Sequence, residues 1–310
     1  MYSEEIVVGK DTEYPLDGLL TLPENNGEKK FPAVVLVHGS GSSDKDESLF
    51  AVSPFLDLAE GLAKLGVASI RYDKRSFIYG EQMVKSKQLI TVKDEVIEDA
   101  LRAVMLLRQD ERIDHDRIFI VGHSMGGMLA PRIDEEGGNF KGLVILAGTP
   151  RQLEEVMKDQ MNDAINHMNP VMRLLAGGSI KKMIHKFDGL YEMSDEQAMK
   201  VKVGGGTTLY YFKEMGEYDT KGYFERTSKP VFIMQGDKDF QVDVEKDFNA
   251  YKDMLKDYPN VTFRLYEGLN HCFMPSVYGM LSMAKQEYSV EAHMDEGVIG
   301  DIAQWILSQE

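Results

Sequence analysis

The sequence predicts an α/β fold: a mostly parallel central sheet with helices on both faces. Three observations carry this. Short apolar runs rich in β-branched residues recur along the 310 residues, helical patterns alternate with them, and one run leads into Gly122-His123-Ser124-Met125-Gly126. Continuously apolar runs suit strands buried on both faces. Alternation of strand with helix implies parallel connections.

The elements follow in chain order. Ile6-Val7-Val8 and Leu19-Leu20-Thr21-Leu22 read as an antiparallel hairpin, with Asp17-Gly18 as its turn. Buried strands are expected at 31–37, 67–72, 118–121, 142–147, 230–235 and 261–266, the last two with some polar alternation. The clearest helix spans 93–109, where Val96, Ile97, Ala100, Leu101, Val104, Met105 and Leu107 fall mostly on one face. Residues 56–65 and 298–307 read the same way.

Residues 151–228 break this rhythm. They are rich in Met, Lys, Asp and Gly, have no clear apolar strand, and carry helical patterns at 153–168, 170–175, 180–187 and 194–201. A segment of that length between two core strands reads as an inserted helical cap. The expected organisation is a core of residues 1–150 and 229–310 with a cap of 151–228. Eight methionines fall in the cap: Met157, Met161, Met168, Met172, Met183, Met193, Met199 and Met215. They read first as helix core, and alternatively as an adaptable lining above Ser124. Gly204-Gly205-Gly206 reads as a flexible loop or a hinge.

Composition bounds the partners. Hydrophobic residues make up 43% and charged residues 28%, with a formal charge of −16. That balance argues against nucleic acid and against an anionic membrane surface. The single cysteine, Cys272, excludes an internal disulfide. The acidic N-terminus lacks the basic and apolar regions of a signal peptide, and no apolar stretch is long enough to span a bilayer, so a cytoplasmic location is expected. A homo-oligomer is left open.

The chemistry starts at Ser124. A strand followed by G-x-S-x-G reads as a tight turn that lifts a serine above the sheet, its flanking glycines leaving room for the crowded backbone. A serine hydroxyl needs a base, a carboxylate to hold that base, and donors for the oxyanion. In this strand–turn–helix context the acid and the base follow the serine in that order. After the strand at 230–235 comes Gly236-Asp237-Lys238-Asp239, and a turn at Gly236 brings Asp239, rather than Asp237, back over the sheet edge. After the strand at 261–266 comes His271, the best placed of seven histidines. The oxyanion donors are expected to be backbone N–H groups: that of Met125, and one from His38-Gly39-Ser40-Gly41, with Ser40 first and Gly39 second. His38 reads as a brace for that loop. Asp44, Lys45 and Asp46, and Arg71, Asp73 and Arg75, read as loop ion pairs, with a polar pocket as the alternative. No spacing suggests a metal site, no glycine-rich phosphate loop occurs, and Cys272 reads as a small buried residue.

These residues resemble the α/β-hydrolase superfamily, and within it bacterial EstD-like carboxylesterases near the cinnamoyl-esterase and dienelactone-hydrolase relatives. The blocks that carry the resemblance are PAVVLVHGSG (32–41), IRYDKR (70–75), DRIFIVGHSMGGMLAPRI (116–133), PVFIMQGDKDFQV (230–242) and LYEGLNHCFM (265–274). The resemblance implies a triad of Ser124, Asp239 and His271 and cofactor-free hydrolysis through an acyl-enzyme. The expected substrate is a small-molecule carboxylic ester with a short-to-medium acyl group, aryl groups included. Rivals on the same residues are an acyltransferase, a thioesterase and an aminopeptidase-like hydrolase; outside enzymes, a non-catalytic binding protein of the same fold.

Overall fold

The computed structural model describes residues 1–24, 30–86 and 89–309. Strands β1 (Tyr2–Val8) and β2 (Leu16–Leu22) form an antiparallel ribbon, followed by β3 (Phe31–Val37), β4 (Ala68–Tyr72), β5 (Ile113–His123) and β6 (Leu143–Leu146). A separate hairpin of β7 (Lys202–Gly204) and β8 (Thr207–Thr208) precedes the last core strands, β9 (Val231–Gly236) and β10 (Val261–Tyr266). Among the described residues the central sheet has eight strands in the order β1-β2-β4-β3-β5-β6-β9-β10. β2 pairs antiparallel with β1 and β4, and every later neighbour is parallel.

Both faces of the sheet are covered, which is why its strands are apolar throughout. Val34 and Leu36 of β3 and Phe119 and Val121 of β5 face one cluster. That cluster is completed by α1 (Pro54–Lys64) through Phe55, Leu58 and Leu62. Ala33, Val35, Val37, Ile118 and Ile120, one residue out of phase, face the other cluster. Helices α2 (Arg75–Lys85), α3 (Glu98–Gln109) and α4 (Met125–Ile133) lie on that side. The predicted helix at 93–109 is α3 with a π-helical turn, Lys93–Ile97, leading into it.

Between β6 and β9 the chain forms α5 (Leu153–His167), α6 (Pro170–Lys186), α7 (Asp195–Lys200), α8 (Leu209–Gly216) and α9 (Thr220–Arg226). After β9 come α10 (Asn249–Met254), α11 (Ala284–Tyr288) and α12 (Glu296–Ser308), and α12 packs on α1. Two expected helices, 170–175 and 180–187, are one helix, α6, which runs through Gly177-Gly178. The segment also holds the β7–β8 hairpin, and Gly205 and Gly206, with φ of +56° and +85°, make its turn rather than a hinge between helices. Met215 is buried and Met157, Met161 and Met193 pack on the core, whereas Met172 and Met199 are exposed.

The N-terminal turn also differs from expectation. Asp17 and Gly18 lie inside β2, paired with Val7 and Ile6, and the reversal begins at Gly9, whose φ is +68°. Gly18 is a close-approach residue: a side chain there would meet the Arg71 carbonyl and the Ile6 side chain. No helix among the described residues is long and apolar enough to cross a membrane.

Candidate active site

The parallel strands all end at one edge of the sheet, and the candidate residues sit on the loops that leave them. Ser124 follows β5, Asp239 follows β9, His271 follows β10 and Ser40 follows β3. Ser124 has φ 53° and ψ −118°, a region costly for a residue with a Cβ and kept only where its surroundings hold it. Its N–H donates to the Leu146 carbonyl at 2.8 Å. A Cβ on Gly122 would strike the Gly126 carbonyl, and one on Gly126 would strike the Val37 carbonyl. Both glycines are therefore required by backbone contact.

His271 Nδ1 lies 2.8 Å from Asp239 Oδ2, and the Asp239 side chain is fully buried. The carboxylate also accepts from the backbone N–H groups of Gln241 (2.8 Å) and Val242 (2.9 Å), and from Gln235 Nε2 (3.2 Å). With three other donors aimed at it, Asp239 is the acceptor, so His271 Nδ1 carries the proton. That leaves the Nε2 lone pair of the neutral ring free. Asp237 is used differently. It accepts from the Gly268 N–H at 2.7 Å and so ties the loop after β9 to the loop after β10. The Ser124 hydroxyl makes no hydrogen bond to any described residue.

Among the described residues, two N–H groups near Ser124 have no partner. Met125 opens α4, where no preceding helical turn offers its N–H a carbonyl. The Ser40 N–H has no partner among the described residues, whereas Gly39 N–H is taken by Glu47 Oε1 at 2.7 Å. Of the two loop N–H groups expected as donors, only that of Ser40 is available. The loop lies against the serine: a Cβ on Gly39 would stand 3.2 Å from Ser124 Cβ.

His38 braces the loop through Nε2, 2.9 Å from the Asp44 carbonyl, and packs on Phe55 and Tyr72. Burial lowers its pKa. The charges around it are ion pairs: Arg71 with Asp46 at 2.7 Å, Lys45 with Asp73 at 3.6 Å and Arg75 with Asp99 at 2.6 Å. Cys272 is buried, which raises its thiol well above the ordinary range. His293 is exposed and pairs with Asp57, while Asp295 caps α12.

Sequence reasoning missed three residues. His123 sits in the elbow, yet its ring lies 4.7 Å from that of His271, and its Nε2 is 3.0 Å from the His271 carbonyl. Its Nδ1 stands 3.0 Å from Glu47 Oε2, in a charge contact rather than an aligned hydrogen bond. Burial opposes charge on both partners. Each holds the other ionised nonetheless, with Glu47 below and His123 above its ordinary range. Glu47 itself has φ 53°, a second strained residue beside the site. The third is Lys74, buried between the loop after β3 and the π-helical turn that leads into α3. Nothing local distinguished Lys74 from its charged neighbours, nor Glu47 from the acidic run before it.

Comparisons with known proteins place the chain in a family and a fold. The hydrolase family model described as serine aminopeptidase, S33, matches residues 28–275. A protein named esterase EstD from Thermotoga maritima is 34% identical over 292 residues, covering 94% of this chain. The chain spans 65% of that relative's length. Among solved structures, Est1E from Butyrivibrio proteoclasticus with ferulic acid bound superposes with a TM-score of 0.59 at 18% identity, over 98% of each chain. A proline iminopeptidase from Mycobacterium smegmatis does so with a TM-score of 0.57 at 14% identity, over 99% of this chain and 98% of the other. These likenesses identify the α/β-hydrolase fold.

Proposed function

The chain belongs to the serine aminopeptidase S33 family of hydrolases, and within it we propose a serine carboxylesterase that cleaves short-to-medium acyl esters, aryl esters included, through an acyl-enzyme on Ser124. The observation that carries this reading is the buried Asp239 carboxylate holding His271 Nδ1 at 2.8 Å, on loops that flank the strained Ser124. The resemblance to esterase EstD favours an ester over an amide.

In this mechanism His271 Nε2 takes the Ser124 proton as Oγ attacks the ester carbonyl. The carbonyl oxygen becomes an oxyanion and is held by the N–H groups of Ser40 and Met125. His271 returns the proton to the leaving alcohol. Water, deprotonated by the same nitrogen, then attacks the acyl-enzyme, and Ser124 is released with the acid. Asp239 keeps His271 in the tautomer this requires and stabilises the imidazolium. Residues 151–228 act as the cap over this site; α8 reaches it through the Tyr211 hydroxyl, 3.7 Å from Met125 Sδ.

The test is the initial rate of hydrolysis of p-nitrophenyl acetate, butyrate and octanoate, with alanine p-nitroanilide as the amide control. The expected result is ester turnover that falls about 10⁶-fold, to background, in Ser124→Ala, and no comparable anilide cleavage. Turnover that survives the substitution would overturn the assignment. Anilide cleavage faster than ester cleavage would move the chain to the peptidase reading.

A further inference from the structure

Lys74 is a lysine buried without being wasted. It follows β4 at the start of α2, and its side chain is only 2% exposed. Its ammonium donates to the Gly39 carbonyl at 2.9 Å and to the Gly41 carbonyl at 2.9 Å, and its charge pairs with Glu95 Oε1 at 3.4 Å. Its backbone N–H donates to the Ser43 carbonyl at 3.0 Å. Side chain and main chain together therefore hold the loop from Gly39 to Ser43. A buried charge is tolerated only when paired and hydrogen-bonded in this way.

The consequence for the loop is directional. The Gly39–Ser40 peptide is trans, so its C=O and N–H point in opposite directions. Lys74 draws the carbonyl to itself, and the Ser40 N–H is thereby sent to the other side. On the preceding peptide, Glu47 holds the Gly39 N–H at 2.7 Å. A cation and an anion thus fix the two peptides flanking the glycine that touches Ser124. A carbonyl bonded to an ammonium also polarises its peptide, which strengthens the opposite N–H as a donor.

We propose that Lys74 is a positioning residue for the oxyanion: it orients and polarises the Gly39–Ser40 peptide, and through Glu95 it makes that geometry depend on how α8 is seated. The link to α8 is the Tyr211 hydroxyl, which donates to Glu95 Oε2 at 2.7 Å. Burial opposes ionisation of Glu95, and the Lys74 charge and the Tyr211 hydroxyl together hold its carboxyl below the ordinary range. The chain of contacts is continuous from the segment between β6 and β9 to the loop beside Ser124. This inference rests on the esterase reading, because it assigns Lys74 a part in the same reaction.

The test compares wild type, Lys74→Met and Tyr211→Phe on p-nitrophenyl butyrate, with a trifluoromethyl ketone as a second probe. The ketone carbon accepts Ser124 Oγ and places an oxyanion where the ester would. For Lys74→Met the expected loss is about 100-fold in kcat, the size of one oxyanion donor. KM stays within about threefold, and ketone affinity falls in parallel with kcat. A merely structural role would not couple kcat to the ketone while sparing KM. Tyr211→Phe leaves the buried charge in place and is expected to lower kcat about fivefold, one hydrogen bond's worth. It decides the matter if Lys74→Met does not fold. Wild-type turnover that depends on Ser124 but is unchanged in Lys74→Met, or in Tyr211→Phe where that variant decides, overturns this inference alone. Wild-type protein without Ser124-dependent turnover overturns the esterase reading and this inference with it.

Discussion

Asparagine in place of Asp239 will lower kcat on p-nitrophenyl butyrate by about 10⁴-fold while the protein stays folded. The loss follows from the hydrogen bonds around the carboxylate. Asp239 Oδ1 accepts from Gln241 and Val242 N–H, and Oδ2 accepts from Gln235 and His271. An asparagine oxygen can replace Oδ1 against the two backbone donors, which turns its NH₂ group toward His271 Nδ1. That nitrogen must then accept, so the ring proton moves to Nε2, and the lone pair that would receive the Ser124 proton is gone. Steady-state kinetics with a thermal melt checks this. A variant within tenfold of wild type would mean that Asp239 does not hold the base.

The largest expected effect on stability is that of Glu47→Gln. Glu47 and His123 form a buried ion pair, with side chains 12% and 8% exposed. Removing one partner of such a pair costs about 3–5 kcal/mol, a fall in Tm of roughly 5–8 °C for a chain of this size. The effect depends on pH, and the sign follows from the two shifts. Glu47 is held below its ordinary 4.5, so its contribution is present above that value and is lost as pH falls through the lowered folded pKa. His123 is raised above its ordinary 6.5, so its contribution is complete below that value and is lost as pH rises through the raised folded pKa. The difference in Tm between wild type and Glu47→Gln is therefore greatest between about pH 4.5 and 6.5 and narrows toward pH 9. A gap that is flat from pH 5.5 to 9 would contradict the ion pair.

Most of the scaffold was legible because its strands obey one rule. β3 and β10 coincide with the predicted runs residue for residue, β4 starts one residue later, and β6 and β9 each differ by one residue at both ends. β5 starts five residues earlier than expected. Its first stretch, Asp114 to Arg117, is polar, and Ile113 pairs with Phe31 across an irregular register. The misplaced hairpin turn has a similar cause. Asp-Gly is turn chemistry in isolation, but Gly18 is needed where β2 passes close to Arg71 and Ile6. Helices α8 and α9 went unseen because tertiary packing, not periodicity, holds them: Tyr211, Phe212, Tyr223 and Phe224 are buried against the core.

The same division runs through the site. Ser124, Asp239 and His271 could be singled out as candidates because each follows a strand in a fixed order. Lys74, Glu47 and His123 could not, since their partners come from distant parts of the chain: Lys74 meets Gly39 and Gly41, and Glu47 meets His123. A charged residue in a loop looks the same in sequence whether it is solvated or clamps a buried peptide. Only the packed structure separates the two.

The most direct test of the account is covalent. Diethyl p-nitrophenyl phosphate is attacked at phosphorus by an activated serine, releasing p-nitrophenolate and leaving a diethylphosphoryl ester on the oxygen. Mass spectrometry of the intact protein and of its peptides after treatment is expected to find one adduct per chain, on Ser124, formed in step with the loss of ester turnover. An adduct on another residue, or full turnover after Ser124 has been labelled, would contradict the claim that Ser124 is the nucleophile.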